Sequence, residues 1–260
     1  MGKTWRQSSS NRPGEWAKGK WVGSGSFGKV HLAMNKATGG LFVVKSAQSE
    51  AAPCSLRPKG ANGENQLNLF MEYMAGGSLF DIAEKFGGPL EETVVRLYTK
   101  EILLGLKYLH QMEPFHCDLK SKNVLLDSSG NVKLADFGSA RRVNELGNNK
   151  SLIGTPLWTA PKVLRNEWLD FAVDIWSLGC TVIEMASGKP LWGDKVSNPV
   201  TVRGMDFLEK CLERDPKKRW KAEDLLNHPF ILGSSYGSLR KEEKVFSPTS
   251  VLDIGMWEEG

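Results

Sequence analysis

The chain is poor in cysteine. Its 260 residues hold four, Cys54, Cys117, Cys180 and Cys211. None stands in a C-x-x-C pair and none has neighbours that would complete a zinc site, which removes dithiol and zinc-finger chemistry. Reduced thiols are expected, as in a cytoplasmic or nuclear protein. Charge of one sign is also scarce: the net charge of +4 is small and scattered, so no nucleic acid is expected as a partner. No apolar run is long enough to cross a bilayer and no signal-peptide pattern is found, so no membrane partner is expected either. The start Met1-Gly2-Lys3-Thr4-Trp5-Arg6 places Arg6 where a myristoylation site needs Ser or Thr. What remains is the composition of an ordinary soluble globular protein, long enough for one large domain or two small lobes.

The most informative text is His116-Cys117-Asp118-Leu119-Lys120-Ser121-Lys122-Asn123, followed after a gap by Asp136-Phe137-Gly138. Between them, Val124-Leu125-Leu126 and Val132-Lys133-Leu134-Ala135 have strand character, and Asp127-Ser128-Ser129-Gly130-Asn131 is a turn cluster. That pattern predicts a β-hairpin, which brings the start of its first strand beside the end of its second. Asn123 and Asp136 therefore converge. One Asp and one Asn facing a nucleotide suit magnesium, which takes a few protein oxygens together with phosphate oxygens. Asp118 supplies a carboxylate able to act as a base.

Nearer the N-terminus, Val22-Gly23-Ser24-Gly25-Ser26-Phe27-Gly28-Lys29-Val30 contains G-x-G-x-x-G-x-V. A dinucleotide-binding fold shares the first part, but it needs a helix after the third glycine. Here Val30-His31-Leu32-Ala33 continues as a strand, which disfavours an oxidoreductase. A strand–glycine loop–strand hairpin instead lays backbone amides over phosphates. Asn35-Lys36-Ala37-Thr38-Gly39-Gly40 reads as a turn, and Leu41-Phe42-Val43-Val44-Lys45 as a strand ending in lysine. Leu67-Asn68-Leu69-Phe70-Met71 reads as a buried strand. Ser78 is an N-cap candidate for a short helix. Residues 91–110 are amphipathic at helical spacing, with Tyr108 counted in the apolar stripe, and Asp174–Met185 is apolar nearly all round, as in a central buried helix with Asp174 placed to cap it and to receive backbone amides. Met205–Leu212 and Lys221–Leu226 read as further helices.

From about Trp16 to Ile231 these motifs, taken together and in order, resemble a protein serine/threonine kinase domain, with wording similar to plant mitogen-activated protein kinase kinase kinases. The resemblance rests on Asn68–Tyr73, His116–Ser121, Gly179–Met185 and Asp215–Trp220. It implies an α+β, bilobal protein-kinase-like fold with a small antiparallel β-rich N-lobe (16–74) and a larger, mainly helical C-lobe (75–232). Flexible ends at 1–15 and 233–260 flank the lobes. It implies phosphorylation of protein Ser or Thr with ATP and Mg2+, by a monomer, on a protein substrate such as a MAP kinase kinase. Asp118 would accept the substrate proton and Lys120 would steady the transferring phosphate. Asn123 and Asp136 would hold magnesium. Val22, Gly23, Gly25, Ser26, Gly28, Val30 and Lys45 would bind the nucleotide, with the backbone of Glu72 and Met74 on adenine and Met71 limiting the pocket behind.

Four departures stand out. Cys117 replaces an Arg that in the family pairs with a phosphorylated activation loop, which argues against control by phosphate at Ser151 or Thr155 through this contact. The stretch after Lys45 carries Pro53, Pro58, Gly60 and Gly63, leaving little room for a helix of about 11 residues. The Glu partner of Lys45 and one sheet strand are expected to be missing. Lys162 stands where the family has a Glu paired to the match of Arg219; facing Arg219 it would repel, at a cost of roughly 3–5 kcal/mol for breaking such a buried pair, or less if Lys162 swings to solvent. Lys189–Gly204 is too short and too rich in Pro and Gly for the expected helix. These departures support a second reading, a pseudokinase that binds nucleotide without efficient phosphoryl transfer.

Overall fold

The computed structural model describes residues 14–25, 28–48, 66–142, 154–165, 167, 170–191 and 201–233. Two compact units divide it, Met1–Tyr73 and Met74–Gly260. Several expectations lie outside the described residues. They concern the first 13 residues, Ser26, Cys54 and its neighbours in 49–65, Ser151, residues 192–200, and the tail from 234 onward.

In the first unit, β1 (Trp16–Gly25), β2 (Gly28–Asn35), β3 (Leu41–Gln48) and β4 (Gln66–Glu72) form an antiparallel sheet in that order. The β2–β3 turn forms because Asn35 Oδ1 accepts from the amides of Ala37 and Thr38, at 2.9 and 3.0 Å. Gly39 then takes φ +71°, a conformation open to glycine. Trp16, Phe42 and Phe70 pack edge-on or tilted with ring centroids 5.8–6.2 Å apart. The strand expected to be buried, β4, is an edge strand of the described sheet, and Leu69 on it is 41% exposed. Its pairing with β3 runs from Phe42↔Glu72 to Gln48↔Gln66.

The second unit begins with β5 (Gly77–Ser78) and α1 (Leu79–Lys85). Ser78 does cap α1: its hydroxyl accepts from Asp81 N, and Asp81 reaches back to the Ser78 amide. The long helix α2 (Glu92–Gln111) buries Val95, Thr99, Ile102, Leu103 and Leu106. Tyr108, counted in its apolar stripe by spacing, is 66% exposed. The strands β6 (Pro114–Phe115), β7 (Val124–Leu126), β8 (Val132–Leu134) and β9 (Arg141–Arg142) follow. Then come α3 (Pro161–Leu164), α4 (Ala172–Ser187), α5 (Val202–Cys211), α6 (Ala222–Leu226) and α7 (Pro229–Leu232).

Every residue of α4 from Val173 to Ala186 is buried, as its all-round apolarity requires. Gly179 lets it approach α5: a Cβ there would stand 2.8–2.9 Å from atoms of Leu212 and Cys211. α5 starts earlier than the apolar pattern suggested, at Val202 in place of Met205, because Thr201 caps it by accepting from Gly204 N. Gly204 thus sits inside the first turn, where a breaker had been read. No helix among the described residues is long and apolar enough to cross a membrane.

Candidate active site

The segment after β6 is held from beneath by one carboxylate. Asp174, fully buried in the first turn of α4, accepts from His116 N (2.8 Å) and His110 Nε2 (2.9 Å) on Oδ2, and from Cys117 N (2.9 Å) on Oδ1. This is the amide-receiving role expected of Asp174, although it does not cap the helix. The clamp accompanies a positive φ of 66° at Cys117. Burial, then the nearby Asp174 charge, pushes the Cys117 thiol well above its ordinary range. Where the family carries an Arg, this chain has a neutral thiol tucked against Phe115 O.

Asp118 follows, 8% exposed. Three donors converge on its carboxylate: Lys120 Nζ at 3.0 Å and Asn123 Nδ2 at 3.1 Å on Oδ2, and Thr155 Oγ1 at 2.6 Å on Oδ1. Lys120 Nζ also donates to Thr155 Oγ1 at 2.6 Å. The hydroxyl therefore links the Asp118 carboxylate and the lysine in a closed ring of charge-assisted hydrogen bonds. Thr155 was visible in the sequence as part of Gly154-Thr155-Pro156, but it was considered only as a phosphate acceptor. Its contact crosses 37 residues of chain.

The hairpin forms in the expected register, Val124↔Leu134 through Leu126↔Val132. Just below it, Ala135 N donates to Asn123 O at 2.9 Å. His116 Nε2 donates to Ala135 O at 2.9 Å, while His116 Nδ1 accepts from Asp118 N at 3.3 Å. These partners select the tautomer with hydrogen on Nε2. The backbone of Ala135 is thus held at both its N–H and its C=O, and Asp136 itself adopts φ +59°.

The donor set fits magnesium. Asn123 is buried, and its Nδ2 is committed to Asp118 O (2.7 Å) and Asp118 Oδ2. Its Oδ1 could serve a hard cation, and Asp136 follows the β8 end that pairs with the start of β7. No cluster of three His, Cys, Asp or Glu side chains suited to a metal occurs among the described residues.

In the first unit, Gly25 pairs with Gly28, Gly23 with Val30, and Val30 with Lys45. Directly opposed residues share a face, so Gly23, Val30 and Lys45 lie in one row across three strands, and the Gly25–Gly28 pair lies further along the β1–β2 hairpin. Val22 is on β1 beside Gly23. Glu72 ends β4, and Met74 opens the second unit, buried. Ser26 is outside the described residues.

A second buried carboxylate braces the catalytic segment. Glu184 on α4 accepts from Ser121 Oγ (2.6 Å), Ser121 N (3.2 Å) and Trp158 Nε1 (2.9 Å). Burial raises its pKa, opposed by these hydrogen bonds. Neither spacing nor composition pointed to this role.

A model of the protein kinase domain matches residues 55–231. The chain belongs to the protein kinase family. It is 36% identical to mitogen-activated protein kinase kinase kinase 3 of Arabidopsis thaliana over 84% of this chain and 41% of that protein. It is 38% identical to mitogen-activated protein kinase kinase kinase ANP1 of the same plant, over 85% of this chain and 40% of that protein. With mitogen-activated protein kinase kinase kinase 17 the identity is 36%, over 94% of this chain and 77% of that protein. The chain spans about two-fifths of the length of the first two. This is a kinase domain related to those proteins, with the family's antiparallel sheet followed by a mainly helical region.

One expected fault of this kinase domain is repaired in the structure. Lys162 does not oppose Arg219. Its Nζ lies 3.9 Å from Asp215 Oδ1. Arg219 is 6% exposed and donates to Glu213 O at 2.7 and 3.0 Å and to Ala172 O at 2.5 Å, with its guanidinium 5.2 Å from the Trp176 ring. Carbonyls take the place of the lost carboxylate.

Proposed function

We propose that this kinase domain transfers the terminal phosphate of ATP to a Ser or Thr hydroxyl of a protein. The observation that carries the reading is the ring of Asp118, Lys120, Asn123 and Thr155. Asp118 takes the proton of the acceptor hydroxyl as its oxygen bonds phosphorus and ADP leaves. Lys120 sets its ammonium beside the base, where the transferring group's negative charge would be neutralised. Asn123 and Asp136 would hold magnesium, which supplies charge neutralisation at the phosphates. Lys45, with Val22, Gly23, Gly25, Ser26, Gly28 and Val30, would bind the nucleotide. The backbone of Glu72 and Met74 would take adenine. The relatives' names support a MAP kinase kinase as protein substrate, in the cytoplasm or nucleus.

A pseudokinase is the second reading. It is favoured by the sequence between β3 and β4, where Pro53, Pro58, Gly60 and Gly63 are residue types that break a helix. Incubation with labelled ATP, magnesium and a generic basic protein, with Asp136→Asn as control, decides between them. Transfer above the control supports the kinase. Stabilisation by Mg-ATP in a thermal shift without transfer selects the pseudokinase.

A further inference from the structure

Lys122 lies within the catalytic segment yet takes no part in its hydrogen-bond ring. It precedes Asn123, whose side-chain amide is 3.1 Å from the Asp118 carboxylate. Its side chain is exposed, and its ammonium sits 4.2 Å from the centroid of the Phe80 ring on α1. A ring face holds a cation in place but neutralises it far less than a carboxylate would.

The neighbouring charges are committed elsewhere. Lys120 is bonded to Asp118 and Thr155. Glu184, the carboxylate whose field reaches Lys122, is buried and satisfied by Ser121 and Trp158. Asp81 closes the cap of α1 with Ser78. Glu84, one turn beyond Phe80, forms no ion pair with Lys122 among the described residues. Among the described residues no carboxylate forms an ion pair with this positioned cation, and only the buried Glu184 reaches it with its field.

We infer that Lys122, seated on Phe80, is a specificity-determining residue that selects an anionic side chain near the acceptor hydroxyl and disfavours a basic one. The inference rests on phosphoryl transfer at Asp118. Lys122 is one residue removed from the amide that touches Asp118, and an extended peptide advances about 3.3 Å per residue. On this inference the cation would meet a substrate side chain about one to three residues from the acceptor. A carboxylate or a phosphate already on the substrate would both satisfy it.

The test uses matched peptides carrying Asp, phosphoserine, Ala or Arg at those positions, with the wild-type chain, Lys122→Ala and Lys122→Glu. Both kcat/KM and binding by fluorescence anisotropy without ATP are read. Exposed ion pairs are weak, so a preference of about 3- to 5-fold for Asp over Ala is expected in the wild type, fading at high salt. It should vanish in Lys122→Ala and reverse toward Arg in Lys122→Glu. A larger gain for phosphoserine than for Asp identifies a primed substrate, and equal gains a carboxylate. Absence of transfer to every peptide overturns the kinase proposal while binding still reads charge preference. Binding that shows no charge preference, or one unchanged in Lys122→Glu, overturns this inference.

Discussion

Asp174 Oδ1 stands 2.9 Å from the backbone amide of Cys117, and its other oxygen takes the amide of His116. Two successive peptides just before the proposed base therefore hang from one buried carboxylate 57 residues away in sequence. Asp174→Ala would strand both amides and the His110 ring donor. Unsatisfied buried donors cost about 1–3 kcal/mol each, so a loss of roughly 3 kcal/mol or more is expected in urea unfolding. Asp174→Asn keeps one acceptor oxygen and should lose about half as much. A change under about 1 kcal/mol for Asp174→Ala would contradict the clamp.

Thr155 bridges Asp118 and Lys120 through its hydroxyl. Hydrogen bonds to charged groups are worth about 1.5–3 kcal/mol, so Thr155→Val should lower kcat/KM by about 10- to 100-fold. Thr155→Ser should retain most activity. Thr155→Glu would set a second carboxylate against Asp118 and should inactivate the domain. Activation by Thr155→Glu would show that the position acts through loop phosphorylation, despite the thiol of Cys117.

Lys162 and Arg219 should behave unequally. The Lys162–Asp215 pair is long at 3.9 Å and more than a third exposed on both sides. Lys162→Ala is expected to change stability by less than about 1 kcal/mol. Arg219 is buried and holds two carbonyls, so Arg219→Ala should cost roughly 2–4 kcal/mol. Equal effects in denaturant titrations would mean that the two side chains do interact.

Much of the fold could be read in advance, and the reason is locality. The Val124–Leu134 hairpin, the Ser78 cap and the buried course of α4 follow from residues a few positions apart. The ring around Asp118 was legible only in part. Asp118, Lys120 and Asn123 share one segment, but Thr155 arrives from a distant loop, and no local pattern links a hydroxyl there to a carboxylate 37 residues earlier. The same applies to Glu184 with Ser121, and to Asp215 with Lys162. A missing Glu in one motif was visible, but the carbonyls that replace it belong to backbone, which carries no sequence signal.

Buried thiols predict an alkaline limit. Burial, then the Glu184 charge, raises the Cys180 pKa from 9.0 to about 12, while an unfolded thiol keeps its ordinary value. Below pH 9 the thiol is neutral in both states and contributes no pH dependence. Between about 9 and 12 the unfolded state alone releases its proton, so stability falls as pH rises, by up to about 1.4 kcal/mol per pH unit. Cys180→Ala should flatten this slope relative to the parent across that window, in unfolding curves collected at matched ionic strength. Identical slopes would rule out ionisation of this thiol as a contributor.

The turn that closes the β7–β8 hairpin is itself tied by a side chain. Asp127 accepts from Ser129 N (2.8 Å), Asn131 N (2.9 Å) and Asn131 Nδ2 (2.7 Å), at the opposite end of the hairpin from Asn123 and Asp136. Only three residue pairs separate the two ends. A single-residue slip in so short a ladder would turn Asn123 and Asp136 away from each other. A solvent-side carboxylate with no chemistry of its own thereby calibrates the spacing of the proposed metal pair, and evolution could adjust metal affinity there without altering either ligand.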